Sequence, residues 1–339
     1  MEESEVGRRG TYMTKQSATY ITRCDIGWYS KNANAYRKPL EVATKYDTTL
    51  CVNETCRVPE EIAEICRGIV RFDGLRGLLT GNFLSQRGAE KFELFTGFDF
   101  PCMFKAWRMK KRFGCRWTVF LWDPPCLSHR DRFPPLRWAI DALFRFFARR
   151  CDRLVLNIHP GLLDEIGYKP SEGQLELRMQ DAFEEIDLNY VEKSEHAEED
   201  GFEFDFGVLA NWEIGKGGQL MADAMKRMPD KKCLWIGNPP SGNAGDPIVF
   251  AGRMPQNEAF EMLRRCHVLV VPYLATYAFK WNYPLKLFEY LQIGRPVLAS
   301  DNPGNVAVAE RHAGRITLFK SGDVGELVQK AMEMTETAK

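Results

Sequence analysis

The 339-residue sequence has no run of eighteen apolar residues, so no stretch has the length and character of a membrane-spanning helix. Its first residues are polar and lack the apolar core of a signal peptide, which makes the cytoplasm the expected location. Ten cysteines occur without a single Cys-x-x-Cys pair, and they do not cluster with the five histidines at zinc-ligand spacing. The common zinc motifs are thereby excluded, and the thiols are expected to be reduced and mostly buried. No excess of charge of either sign exists, with 46 basic and 46 acidic residues, so the chain as a whole has no electrostatic bias towards nucleic acid.

The balance is uneven along the chain. Between Lys105 and Arg153 thirteen basic residues face only Asp123, Asp131, Asp141 and Asp152, whereas the segment from Glu172 to Asp205 is strongly acidic. Within the basic block, residues 134–150 (PPLRWAIDALFRFFARR) read as an amphipathic helix with Leu136, Ile140, Leu143, Phe144 and Phe147 on its buried side. The same stretch is a candidate contact for an anionic membrane surface, placing the protein at the inner membrane face as a peripheral partner. No nucleic-acid module accompanies these basic residues, so no nucleic-acid partner is expected.

Apolar runs of strand length alternate with helical stretches throughout. In the first half, candidate strands lie at 18–24, 48–52, 69–72, 92–95, 117–122 and 153–158, with helices at 59–67, 101–113 and 134–150. The second half repeats the pattern more cleanly, with strands at 206–209, 232–236, 248–251, 267–271, 297–299 and 315–318. Such alternation predicts α/β architecture: parallel sheets covered by helices on both faces. The expected organisation is a disordered tail (1–16), a Rossmann-like domain (17–185) and a second Rossmann-like domain (186–339), with the boundary in the acidic segment.

The most informative stretch is 284–301, PLKLFEYLQIGRPVLASD. Pro284 suits a helix start, Gly294 suits the residue just past its end, and Val297–Ala299 read as a buried strand closed by a turn at 301–304. Leu287, Tyr290 and Leu291 share one helical face, and Lys286 and Glu289 share another. A lysine in the first turn is a poor choice for helix stability but suits a phosphate, and a carboxylate one turn later could accept the hydroxyls of a ribose. The alternative is an ordinary i, i+3 ion pair. Upstream, the loop NWEIGKGG (211–218) sets Lys216 among glycines at a helix start, where small residues let backbone N–H groups approach an anion; it lacks the Walker A spacing.

These motifs, in the order strand, KG loop, helix, strand, PLKLFEYLQIGRPV, resemble the donor-binding half of GT-B glycosyltransferases with a group 1, family 4-like second domain. The resemblance covers 205 to about 325 well and the first half in outline. It implies two Rossmann-like domains facing across a cleft, a nucleotide-diphosphate sugar as donor substrate, a glycan or lipid-linked acceptor, and no cofactor. It further implies that Glu289 holds the ribose, that Lys286 lies near the diphosphate, and that Lys216, Gly217, Arg253 and Leu287 complete the donor site. Two positions depart from the family pattern: Trp281 stands where many retaining members carry a second glutamate, and Ala210 where many carry an arginine. No Asp-x-Asp pair exists in the chain, which counts against metal-bound diphosphate. For the base that would deprotonate the acceptor, the candidates are Asp123, at the end of a strand before Pro124 and Pro125, then Asp25 and His159, also at strand ends. Transfer with inversion is the expected outcome. A sugar-nucleotide epimerase on the same fold, or a non-catalytic nucleotide-sugar-binding protein, are the alternatives.

Overall fold

The computed structural model describes residues 15–28, 34–81, 92–122, 134–178, 202–240 and 247–336. Asp123, residues 1–14 of the expected tail (1–16), Lys31 and Asn32 of the first loop, and the expected domain boundary at 185/186 lie outside the described residues.

Seven strands form the first sheet: β1 (Ser17–Ile21), β2 (Asp47–Asn53), β3 (Gly68–Phe72), β4 (Glu93–Gly97), β5 (Arg116–Leu121), β6 (Arg153–Leu156) and β7 (Leu175–Leu177). Every pairing is parallel and the spatial order is β3-β2-β1-β4-β5-β6-β7. Both faces are covered, and the period of two along each strand divides the residues between two cores. Ala18, Tyr20, Leu50 and Val52 pack beneath α1 (Asn34–Lys45) and α2 (Glu60–Ile65). Ile21, Cys51 and Leu94 pack beneath α3 (Gly74–Thr80), α4 (Phe100–Phe113), α5 (Arg137–Ala148) and α6 (Gly161–Ile166). Burying strands on both faces is why they read as apolar runs rather than as alternating ones.

The second sheet contains β8 (Phe204–Leu209), β9 (Cys233–Ile236), β10 (Ile248–Gly252), β11 (Cys266–Val271), β12 (Val297–Ser300) and β13 (Ile316–Phe319), all parallel, in the order β10-β9-β8-β11-β12-β13. Its helices are α7 (Gly218–Lys226), α8 (Gln256–Arg264), α9 (Tyr277–Lys280), α10 (Leu285–Ile293), α11 (Pro303–Arg311) and α12 (Val324–Glu336). This 3-2-1-4-5-6 order is the doubly wound one, in which winding reverses between β8 and β11 and leaves a crevice at their carboxyl ends. The first sheet has the corresponding reversal between β1 and β4.

Several expectations need correction. The turn at Asp301–Gly304 opens α11 instead, with Pro303 at its first position, where the missing N–H costs nothing. β7 lies in the acidic stretch that shows no periodicity, because a three-residue edge strand is too short to display one. The buried side of α5 is narrower than expected: Phe144, Phe147 and Ala148 face the core, while Leu136 is 53% exposed and Leu143 44%. Leu143 is rotated about 100° from Phe144 around the helix, enough to carry it off the sheet. Among the described residues no helix is long and apolar enough to cross a membrane. Seven of the nine described cysteines are buried, and burial pushes the thiols of Cys66 and Cys115 up to about 11 and those of Cys151 and Cys266 up to about 12.

Candidate active site at the carboxyl edge of the second sheet

Helix α10 begins after Pro284, whose extended backbone (φ −67°, ψ 119°) turns the chain into the first helical turn. It ends at Gly294 in the left-handed region (φ 84°), with the Gly294 N–H donated to the Tyr290 carbonyl. Leu287, Phe288, Tyr290, Leu291 and Ile293 bury one side of the helix against the sheet. The Tyr290 hydroxyl accepts the Leu209 N–H at 2.7 Å, which fixes α10 against the end of β8. That contact brings the helix beside the switch point.

Glu289 is buried, with 2% of its side chain exposed, and its two oxygens have separate donors. Gln256 Nε2, at the first position of α8, donates to Oε1 at 2.8 Å, and Lys286 Nζ donates to Oε2 at 2.7 Å. The ion pair read from the spacing is therefore present, but not as an exposed surface pair. A carboxylate oxygen accepts two hydrogen bonds, so each keeps a lone pair for a ligand hydroxyl. Leu287, by contrast, is fully buried and its N–H goes to the Pro284 carbonyl, so its side chain serves the core and not a ligand.

The loop after β8 is built differently from expectation. The N–H groups of Lys216 and Gly217 turn inward to the carbonyls of Glu213 and Ile214, at 3.1 and 3.0 Å, instead of forming an open anion cradle. Its glycines are there for packing. Gly217 sits in the left-handed region (φ 76°), and a Cβ there would come within 1.9 Å of the Pro272 carbonyl oxygen. A Cβ on Gly215 would meet the Phe279 ring at 2.5 Å, and one on Gly218 the Trp212 ring at 2.7 Å. The loop after β8 thus lies directly on the loop after β11. Lys216 carries the charge: its ammonium pairs with Glu213 at 3.1 Å and lies 5.9 Å from the Phe279 ring centroid. Arg253 is exposed just past the carboxyl end of β10, three residues before Gln256.

The first lobe contributes the residues around His159, which follows β6. The Gly161 N–H donates to its Nδ1 at 3.1 Å, which places the ring proton of the neutral imidazole on Nε2. Burial lowers its pKa, favouring that neutral form. His159 therefore presents a hydrogen-bond donor, and the expected role as a base is not supported by this geometry. Asp25 is also occupied: Arg57 holds it through Nε and Nη2 at 3.0 and 2.8 Å and through its backbone N–H at 2.8 Å. The Arg57 hydrogen bonds lower the pKa of Asp25, making it a weak proton acceptor.

Trp281 reaches from the second lobe to the first. Its ring stacks on His159 with centroids 5.3 Å apart, its carbonyl accepts the His159 N–H at 2.8 Å, and its indole N–H goes to Glu165 of α6. Lys280 Nζ binds the same carboxylate at 3.2 Å. Where the family pattern has an acid, this chain thus has an indole tied to the opposite lobe.

The sequence of residues 204–337 matches the family described as Glycosyl transferases group 1. The second lobe is a group 1 glycosyltransferase domain. Solved structures extend the fold to nearly the whole chain. Sucrose-phosphate synthase from Thermosynechococcus elongatus superposes with a TM-score of 0.70 at 13% identity, covering 95% of this chain and 90% of its own. The lipopolysaccharide outer core galactosyltransferase WaaB gives 0.62 at 11% identity, with 95% and 91% covered. A putative UDP-N-acetylglucosamine 2-epimerase from Listeria monocytogenes gives 0.54 at 13% identity, with 95% and 88% covered. No curated protein matches by sequence. Residues 204–337 therefore sit in a two-lobed GT-B frame, with Lys286 and Glu289 on the helix beside the switch point of the second sheet.

Gln256, Glu165 and Tyr290 were not singled out as site residues from sequence. Gln256 had only a weak signal, its place at a helix start after a strand ending in Gly252-Arg253. Glu165 had none, because its partners lie 115 and 116 residues away. Among the described residues no group of three metal-ligating side chains stands close enough to hold an ion.

Proposed function

We propose that this glycosyltransferase moves a sugar from a nucleotide-diphosphate sugar, bound on the second lobe, to an acceptor hydroxyl presented by the first. The observation that carries the reading is Glu289: a buried carboxylate, held by Lys286 and Gln256, in the second turn of a helix beside the switch point of the second sheet, within the residues that match the group 1 family. In this reading Glu289 accepts the ribose hydroxyls. Lys286 and Lys216, with Arg253 at the rim, offset the charge that builds on the departing diphosphate, and fixed cations can do this without a metal ion. His159 donates its Nε2–H to the transferring sugar. Asp123 takes the acceptor proton and the reaction inverts, since Asp25 is committed to Arg57 and the indole of Trp281 offers no carboxylate to the donor. The acceptor is a glycan or a lipid-linked or polysaccharide precursor.

The test is thermal unfolding of the full chain with a panel of nucleotide sugars, followed by product analysis. A donor at a hundred times its dissociation constant adds about 2.7 kcal/mol, a readily measured rise in melting temperature. The rise should vanish in Glu289→Ala. Transfer should require an acceptor, and NMR of the product should show the anomeric configuration reversed. Conversion of the donor with no acceptor present would replace this reading with an epimerase. Binding without turnover towards any acceptor would leave a sugar-nucleotide receptor.

A further inference from the structure

The helices α4 and α5 lie side by side on the first lobe. Trp107 meets Phe146 edge-on at 5.3 Å, Phe100 packs near Phe147 at 6.2 Å, and Lys110 Nζ donates to the Arg150 carbonyl at 2.8 Å. Their inner sides enter the core under the sheet. What remains is a joint outer face of unusual composition. No acidic residue occurs in α4, and the only one in α5, Asp141, has its Oδ1 buried. The face is basic through residues such as Arg108, Lys111 and Arg149, and apolar through Trp138, 72% exposed, and Phe104, 37% exposed.

The two characters are sorted along the helices. In a parallel α/β sheet each helix starts near the carboxyl end of the strand before it, which is the cleft side. Leu136, Trp138 and Phe104 belong to those starting ends, whereas Lys111, Arg149 and Arg150 belong to the far ends. Towards the far ends the cations also lie over rings: Lys111 Nζ is 4.5 Å from the Trp107 ring and the Arg150 guanidinium 3.5 Å from the Phe146 ring. Such stems cover apolar surface while their charged heads remain available.

We propose that this face is a docking surface for an anionic lipid bilayer, with the cleft-side indole of Trp138 inserted at the headgroup level and the cations on the lipid phosphates. A bilayer fits both halves of the pattern. Its surface charge matches a face that is basic on balance, where Asp152, paired with Lys110 at the far end, answers one of several cations, and its interface takes an amphipathic indole and leucine side chains. A polyanion such as RNA satisfies the cations but leaves Leu136 and Trp138 in water. The lipid contact stands independently of the transferase reading; only the corollary, that an acceptor anchored in that bilayer would meet the cleft mouth, rests on it.

The test is co-sedimentation of the full chain with phosphatidylcholine vesicles and with vesicles containing phosphatidylglycerol, at low and high salt. Binding should require the anionic lipid and weaken with salt, as exposed charges are screened. Lys111→Gln combined with Arg149→Gln should lower the affinity roughly thirtyfold, at about 1 kcal/mol per cation near the surface. Brominated lipid should quench the fluorescence of the wild type, and that quenching should be lost in Trp138→Phe. Unchanged melting temperatures would show that the variants fold, and an unchanged nucleotide-sugar shift would show that the donor site is intact. No binding to anionic vesicles, binding indifferent to these substitutions, or tighter binding to an RNA homopolymer than to vesicles would each overturn the proposal.

Discussion

At Glu289 and His159, burial and hydrogen bonding have assigned what each side chain can do. Glu289→Gln preserves the shape and one acceptor oxygen but removes the charge that Lys286 answers. It should cost about 1 kcal/mol of stability, the size of an ordinary hydrogen-bond change, and the chain should still fold. If two ribose hydroxyls are held by that carboxylate, kcat/KM should fall about a hundredfold, with most of the loss in donor affinity. Steady-state kinetics beside a denaturant titration separates the two effects; a large loss of stability with little change in kcat/KM would make Glu289 a structural residue. His159 gives a pH prediction. Its pKa is lowered by burial, as are those of His267 and His312, so the unfolded chain binds more protons than the folded one at mildly acidic pH. Stability is therefore complete above the unfolded value of about 6.5 and is lost as pH falls through the lower folded values. Melting temperatures should drop between pH 7.5 and 5.5, and His159→Gln should flatten the slope; a slope unaffected by that substitution would show that the other histidines carry it.

At the scale of elements, the βα units were legible because doubly buried strands and capped helices leave marks in the sequence itself. The helix from Pro284 to Gly294 is the clearest case: its start, stop, core face and Lys286–Glu289 pairing follow from spacing alone. Among the elements that escaped, α3, α6, α9 and β7 span three to seven residues, too few for a period to show, and α11 was hidden behind a Pro-Gly start that reads as a turn. The role of the glycines after β8 escaped for another reason. Their neighbours, Phe279 and Pro272, belong to the loop after β11, and only the folded chain brings them within reach. This difference can be measured with two glycines of nearly equal conformation. Gly217 (φ 76°) would place a Cβ 1.9 Å from a backbone carbonyl oxygen, whereas Gly252 (φ 73°) has nothing within 4 Å. Gly252→Ala should cost only the left-handed penalty of about 1–2 kcal/mol. Gly217→Ala adds the forced separation of two loops, typically a further 1–3 kcal/mol. Denaturant midpoints of the two variants should differ accordingly. Equal midpoints would mean that the loops part without strain.

At the scale of the whole molecule, the two parallel sheets could be anticipated, but the way the lobes meet could not. The contact depends on Trp281 in one lobe and on Gly161, His159 and Glu165 in the other, and nothing local in sequence links them. Trp281 stood out only as a departure from a family pattern, and its environment explains the departure: the ring needs Gly161, where a Cβ would lie 2.2 Å from it. Gly161→Ala should therefore displace the indole, break its bond to Glu165 and loosen the lobes. In the proposed mechanism the nucleotide part of the donor stays on the second lobe, away from His159, so calorimetric affinity for a nucleoside diphosphate without the sugar should change by no more than about twofold, as expected of sites that share no partner. Turnover needs the lobes in register, and a misplacement on the order of 1 Å costs about a hundredfold in rate. Scattering should show a larger radius of gyration for the variant in the absence of substrate. A variant with that expansion but undiminished turnover would show that the indole bridge is not what aligns the lobes; one with weakened nucleoside diphosphate binding as well would place Trp281 in the nucleotide site itself.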